Sequence, residues 1–281
     1  MDWVKAKNIL IIALIITNLF LGYYVIKDYK ANNYTYTISQ EKIDDVKELL
    51  EKKNIIIKAD IPKEIYELPE LTVEYETYDK EEIESKIYEA DKRNYREKVK
   101  ISSNDKLINY TKKIITNTDK EITKEDAEEI VYEFIKKLGF ENDEAVFWGI
   151  KEKDREYGIE YKQKYENVIL NDGYMKFKLK NNEVISFERR WLKTIGTKGM
   201  NKRVIPATKA LLLAMDELKE KKENEDSEVI VTGIDLVYSL NIIELNTFLD
   251  EEWYEGNEKT GFLYWRIRLE NDDHIDIEAY E

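Results

Sequence analysis

The sequence predicts an α+β protein in which one N-terminal transmembrane helix is followed by repeated units, each a helix on an antiparallel sheet. Three observations lead to this class. Residues 8–26 are uncharged and mostly apolar. Two amphipathic stripes begin at residues 127 and 207, and a pair of strand-like runs follows each stripe. Helices packed on one face of antiparallel sheets are typical of α+β domains.

The uncharged run has the length of a membrane span. At 1.5 Å per residue, a helix over residues 8–26 is roughly 28 Å long, close to the thickness of a bilayer's hydrocarbon core. Trp3 before it, and Tyr23 and Tyr24 near its end, are aromatic residues of the kind found at membrane interfaces. No Ala-x-Ala site follows the run and the chain has no cysteine, so we expect a retained helix rather than a cleaved signal or a lipoprotein anchor.

The charges that flank this helix are nearly balanced. Lys5 and Lys7 precede it, and two more lysines follow it by residue 30. Because the arm of residues 1–7 is very short, we expect a cytoplasmic N terminus. The predicted location is therefore the cell membrane, with a single pass, a juxtamembrane linker over residues 27–38 and an extracytoplasmic C-terminal domain.

Small and polar residues in the predicted span indicate contacts with other helices. Asn18 lies near the middle, where a carboxamide facing lipid would lack hydrogen-bond partners. Gly22 follows one turn later on the same face, and Ala13 and Thr17 form a second small-residue pair displaced by roughly 100°. We expect both pairs to dock partner helices, although Asn18 could instead bond to its own helix.

Residues 123–139 carry the clearest helical pattern. Thr123 is a favourable N-cap with Asp126 three residues later, and Gly139 is a favourable C-terminal cap. The apolar residues recur at helical spacing: Ala127, Ile130, Val131, Phe134, Ile135 and Leu138. Two alternating strand patterns then meet at Asn181 and Asn182, which predicts a hairpin.

The same succession recurs after Pro206. Its apolar residues have the same internal spacing: Ala207, Ala210, Leu211, Ala214, Met215 and Leu218. A second hairpin is predicted around residues 271–273. A looser copy begins with a helix over 40–52 and contains an inserted helix near 80–90. The predicted units are residues 39–120, 121–195 and 196–281.

Composition excludes several classes of function. The chain has 281 residues and a formal net charge of −14, which disfavours nucleic acid and anionic lipid as partners. Hydrophobic residues make up 42% of it, which is enough to form a core. The lack of cysteine excludes disulfides, thiolate metal sites and cysteine nucleophiles.

We predict no catalytic residue, metal or cofactor. His274 is the only histidine, which excludes multi-histidine zinc sites, and we interpret it as a polar strand residue after a turn. No nucleotide-binding glycine motif and no G-x-S-x-G occurs. Acidic runs at 141–144 and 250–252 are interpreted as solvated surface. The tryptophans are interpreted mainly as core, with a ligand groove as the alternative: Trp148, Trp191, Trp253 and Trp265.

The N terminus resembles that of the YycI family, the accessory membrane proteins of the WalK/WalR (YycG/YycF) two-component system in low-GC Gram-positive bacteria. The resemblance lies in two stretches, Met1-Asp2-Trp3-x-Lys5-x-Lys7-x-Ile9 and Asn18-Leu19-Phe20-Leu21. The length, the single anchor and the helix-plus-sheet units, similar to those of YycH and loosely to PepSY-type domains, agree with it.

The resemblance implies regulation without catalysis. Proteins similar to YycI join a YycH-like protein and a WalK-like sensor histidine kinase at the membrane, and they adjust the kinase that governs cell-wall metabolism. Two alternatives stay open. One is a membrane-anchored PepSY-type module that binds or inhibits a secreted hydrolase, and the other is a carboxylate-based wall hydrolase.

Overall fold

A computed structural model describes residues 36–88, 97–113, 122–222, 224, 227–240 and 258–281, together with Lys7, Leu14, Thr17, Asn18 and Leu21. The multi-residue helices in that part of the chain are α1 (Gln40–Glu51), α2 (Lys80–Ile87), α3 (Lys124–Leu138), α4 (Ala207–Leu213) and α5 (Met215–Glu220).

Strands make up most of the rest of the described chain. Its N-terminal part contains β1 (Tyr36–Thr37), β2 (Ile55–Ile57), β3 (Glu64–Ile65), β4 (Glu67–Tyr75), β5 (Glu97–Ser102) and β6 (Leu107–Lys112). The middle contains β7 (Ala145–Lys153), β8 (Glu156–Tyr165), β9 (Val168–Lys180), β10 (Glu183–Arg190) and β11 (Leu192–Arg203). The C-terminal part contains β12 (Val229–Leu240), β13 (Glu258–Leu269) and β14 (His274–Glu278).

One large sheet holds 12 of these strands. Its main path runs β11-β4-β13-β12-β9-β10-β6-β5, while β2, β7, β8 and β14 pair beside that path. The predicted α+β class is confirmed. The sheet differs from the expectation of purely antiparallel units, because β12 runs parallel to both β2 and β9. A parallel pair requires a long crossover, and the chain between β9 and β12 supplies one that includes α4 and α5.

The helix predicted over residues 123–139 is confirmed together with both caps. The Thr123 hydroxyl accepts a hydrogen bond from the Asp126 N–H at 3.1 Å, and the Asp126 carboxylate accepts one from the Thr123 N–H at 2.9 Å. Gly139 ends the helix in the left-handed conformation, at φ 72°. Phe134 packs its ring against Phe177 and Phe187, at centroid distances of 6.2 and 5.4 Å, which seats α3 on β9 and β10.

The two predicted hairpins are also confirmed. Asn181 and Asn182 have φ values of 52° and 69° between the paired residues Lys180 and Glu183, as a two-residue type I′ turn requires. β13 and β14 form the second hairpin. The helix predicted after Pro206 is present but is divided at Ala214 into α4 and α5.

The buried residues form two hydrophobic cores. The first core joins residues 38–75 with 204–240 and 263–279, and it also contains Val168, Leu170 and Leu192. The second core joins residues 78–110 with side chains from 127–191. The division into three units stays a prediction. The N-terminal and C-terminal parts of residues 36–281 pack together in the first core, where β4 pairs with β13.

A buried amide links the strands of the two cores. Gln163 in β8 accepts a hydrogen bond from the Leu192 N–H at 2.9 Å and donates one to the Leu192 carbonyl at 2.6 Å. The side chain thereby substitutes for a strand pairing at the start of β11. A Cβ at Gly173 would lie 2.2 Å from the Gln163 Oε1, so glycine leaves the space in which this amide crosses β9.

Candidate functional site

A groove of about 650 Å³ lies between β7–β10 and β12–β14, and we call it the sheet groove. Lys176 and Lys178 line it on β9, on either side of Phe177, whose ring packs into the second core. Because successive strand side chains point to opposite faces, these lysines project from the face that α3 does not cover. Strand alternation therefore places polar side chains along this wall of the groove.

The sheet groove is richer in positive charge than the chain as a whole. Its basic side chains are Lys151, Lys162, Lys176, Lys178, Arg266 and Arg268. Its acidic side chains are Glu160, Glu188, Asp272 and Asp273. Six cations and four carboxylates line it, and Asp276 and Asp235, which pair with Arg266 and Arg268, bring the carboxylates to six. The groove is therefore close to neutral in a chain whose net charge is −14, and a negatively charged group is attracted only where a cation has no close carboxylate.

The cations on the floor of the groove are already paired. Arg266 donates two hydrogen bonds to the Asp276 carboxylate, at 2.8 and 2.6 Å, and a third to the Asn171 side-chain oxygen. The Lys162 ammonium donates to the Asn171 carbonyl at 3.1 Å and lies 3.1 Å from the Glu160 carboxylate. Burial lowers the pKa of Lys162. A ligand could bind these two cations only by displacing their carboxylate partners.

Arg268 spans the groove between β13 and β7. Its Nε donates to the Asp235 carboxylate at 2.7 Å, and its guanidinium lies 5.0 Å from the centre of the Trp148 ring. A Cβ at Gly233 would lie 2.3 Å from this guanidinium, so the missing side chain there lets Arg268 lie across β12. The contact with Trp148 is a cation–π interaction that joins the two walls.

The cations on the rim of the groove are different. Lys176 and Lys178 are exposed, and within the described part of the chain neither forms an ion pair. The Lys176 ammonium lies 4.7 Å from the centre of the Tyr174 ring, and the Tyr174 hydroxyl donates to Glu188 at 2.7 Å. These two lysines are the side chains best placed to meet a ligand.

A buried carboxylate lies beside the floor, where β9 and β12 run parallel. Asp172 accepts a hydrogen bond from the Leu240 N–H at 2.9 Å. Burial raises the pKa of Asp172, and the nearby charges of Arg190, Lys162 and Arg266 oppose that rise. The hydrogen bond therefore ties Asp172 of β9 to the C-terminal end of β12.

Comparison with known families decides what this chain is. A family model described as YycI protein matches residues 33–280. The chain belongs to the YycI family. The match covers nearly the whole region after the predicted membrane helix, so it extends the resemblance seen at the N terminus to the folded part of the chain.

Other comparisons add less to the YycI assignment. No curated protein matches the chain. An uncharacterized protein from Eubacterium rectale is similar in structure, with 11% identity, a TM-score of 0.47 and coverage of 85% of this chain and 94% of the other. The Bacillus megaterium YpeB C-terminal domain has 16% identity, a TM-score of 0.34 and coverage of 87% and 94%.

The predicted membrane contacts of this YycI-family chain fall mostly outside the described residues. Thr17 and Asn18 are helical and exposed. The other predicted contact and interface residues lie outside the described part: Ala13, Gly22, Trp3, Tyr23 and Tyr24. Within the described residues, the structure contains no helix that is both long and apolar enough to span a bilayer.

The aromatic and histidine residues divide between core and groove. Trp191 and Trp265 are buried in the cores, whereas Trp148 lines the sheet groove. Trp253 lies outside the described residues. His274 is the first residue of β14, after the turn, and it also lines the groove; burial and the nearby Arg266 lower its pKa. Among the described residues, no group of three acidic, histidine or cysteine side chains is arranged to hold a metal ion.

The rim of the groove was not predicted, although the sequence carries a signal for it. The run Lys176-Phe177-Lys178-Leu179-Lys180 places lysines at alternate positions of a strand. This alternation predicts a row of cations on one face of the sheet. Their position beside Arg266 depends on β12 and β13, which are distant in sequence.

Proposed function

We propose that this chain is a non-catalytic accessory regulator of a membrane sensor histidine kinase that controls cell-wall metabolism. The family match over residues 33–280 carries this proposal. The partners that the resemblance implies are a YycH-like protein and a WalK-like kinase. Contacts are made through the N-terminal helix and through the extracytoplasmic domain.

We further propose that the chain is a single-pass protein of the cell membrane, with its N terminus in the cytoplasm. The uncharged run of residues 8–26 and the short arm before it support this location. The sheet groove would then face the extracytoplasmic space, where it is accessible to other membrane-anchored proteins.

Reporter fusions test the topology. Alkaline phosphatase fused after Glu281 is expected to be active, and a reporter that works only in the cytoplasm is expected to be silent there. The control is the same pair of reporters fused after Lys7, which should give the opposite pattern. Activity of the cytoplasmic reporter after Glu281 would show that the proposed orientation is wrong.

Substitutions in the helix test its contact with the kinase complex. Asn18→Leu combined with Gly22→Leu is expected to weaken co-purification with the kinase and to shift kinase output in cells. Interhelical polar contacts contribute about 0.6–2 kcal/mol, so we expect a loss of roughly 3- to 30-fold in affinity rather than loss of assembly. The matched control is Ile12→Leu combined with Ile16→Leu, which lies about 120° to 160° around the helix from Asn18, keeps the helix apolar and should change neither readout.

Removing the whole chain tests the regulatory assignment itself. Cells that lack it should show altered kinase output, and the unmodified chain should restore the original level. Equal output with and without the chain would overturn the proposed function, whichever residues make the contacts.

A further inference from the structure

We propose that the sheet groove binds an extended acidic peptide segment of a partner protein, which Lys176 and Lys178 engage from the rim. This inference goes beyond the proposed function, because it assigns a ligand class to one surface of the folded domain. It does not depend on which kinase the chain regulates.

Among the residues that the structure describes, the two rim lysines have no carboxylate bound to them, which leaves their ammonium groups open to a ligand. Arg266 and Lys162 on the floor already have carboxylate partners at 2.6 and 3.1 Å, whereas Lys176 and Lys178 have no ion pair within the described residues. Charges farther away than about 8 Å are largely screened at physiological salt. Glu160 and Glu188 lie opposite Lys176 on β8 and β10, whereas Lys178 lies between Gly158 and Ser186. A negatively charged segment therefore meets the least compensated charge at Lys178 and reaches Lys176 next to it.

The spacing of the two lysines along β9 favours an extended peptide as the ligand. Lys176 and Lys178 are two residues apart on β9, and alternate residues of a strand are separated by roughly 6.6–6.8 Å. The side chains on one face of an extended peptide have the same separation. Two acidic residues at alternate positions of such a segment can thus face the two lysines together.

The mixed charges that line the groove favour a peptide over a uniformly charged polymer. Glu160, Glu188, Asp272 and Asp273 lie among its cations and would repel a polymer that carries a negative charge on every unit. A peptide can place neutral or apolar side chains opposite these carboxylates. Trp148, Ile150 and Val237 offer apolar contact in the same groove.

Binding of synthetic peptides to the full-length chain in detergent micelles tests the proposal. The probe is a fluorescein-labelled peptide of Ser-Glu-Val-Glu repeats, read by fluorescence anisotropy, and a Ser-Lys-Val-Lys peptide is its charge-reversed counterpart. We expect the acidic peptide to bind and the basic one not to bind. Lys176→Glu combined with Lys178→Glu is expected to weaken binding by at least about tenfold.

The matched control makes the same change of charge on another strand. Lys193→Glu with Lys198→Glu alters two exposed lysines of β11 that do not line the groove. This pair should leave the affinity within about twofold. Equal losses from both pairs would show that binding follows net charge alone and would overturn the proposal.

Two further measurements complete the test. Inorganic polyphosphate competing better than the acidic peptide would assign the groove to polyanions and overturn the proposal. Lys176→Gln with Lys178→Gln should give an intermediate loss with an unchanged melting temperature, which separates binding from folding. Because the assay contains no kinase, its failure and the failure of the regulatory assignment are distinguishable.

Discussion

Leu211→Asp is expected to unfold the first core. Leu211 lies on α4 and is fully buried, 0% exposed, against the sheet. An unpaired carboxylate at such a site costs several kcal/mol, either in desolvation or in taking up a proton. Domains of this size are typically stable by about 5–15 kcal/mol, so a loss of roughly 4 kcal/mol or more removes much of the margin. Urea unfolding followed by circular dichroism measures the effect.

Leu213→Asp is the matched control for this substitution. Leu213 lies on the same helix, two residues later, and is 56% exposed. A carboxylate there remains in water, and its proximity to the C-terminal end of the helix costs only a fraction of 1 kcal/mol. Similar unfolding midpoints for the two variants would show that the α4 stripe is not part of the core.

Arg189→Ala is expected to give the second large loss of stability. The Arg189 guanidinium lies among the rings of Tyr78, Phe140 and Trp191, at 5.3, 4.1 and 4.9 Å from their centres. It also donates a hydrogen bond to the Glu76 carboxylate at 2.6 Å. The truncation removes the pairing and leaves a cavity between aromatic rings, which together cost about 3 kcal/mol.

Arg189→Met separates the contribution of the ion pair from that of the filled volume. Methionine refills much of the volume without a charge, and it removes a buried Nε that has no hydrogen-bond partner within the described residues. We expect it to be less destabilising than alanine by more than about 1 kcal/mol. Glu76→Gln removes the counter-charge of a guanidinium that is 3% exposed but keeps a hydrogen-bond acceptor, so it should cost about 1–3 kcal/mol. Equal losses for alanine and methionine would show that the ion pair dominates.

Local sequence signals predicted the elements around the site well. The α3 caps at Thr123 and Gly139 and the turn at Asn181 and Asn182 are all present, because each depends on residues within a few positions. The break in the helix at Ala214 was not predicted, because the apolar spacing continues across it. The predicted membrane helix and its contacts stay predictions.

The candidate site was harder to predict than its elements. Trp148 lines the sheet groove, whereas Trp191 and Trp265 pack in the cores. Lys176 and Lys178 carried an alternating signal, but alternation alone does not tell which strands lie opposite. The groove exists because β12 and β13 come to lie beside β9.

The fold class, the capped helix and the hairpins follow from local patterns in the sequence, and its single histidine and lack of cysteine exclude multi-histidine zinc sites and thiolate chemistry. Which strands are neighbours becomes visible only in the folded chain. The parallel pairing of β9 with β12 joins Leu170 to Tyr238, and the Arg189 contact joins residues 113 positions apart. Periodicity and caps are local properties of a chain, whereas such pairings depend on the closure of long loops and on packing of the whole sheet.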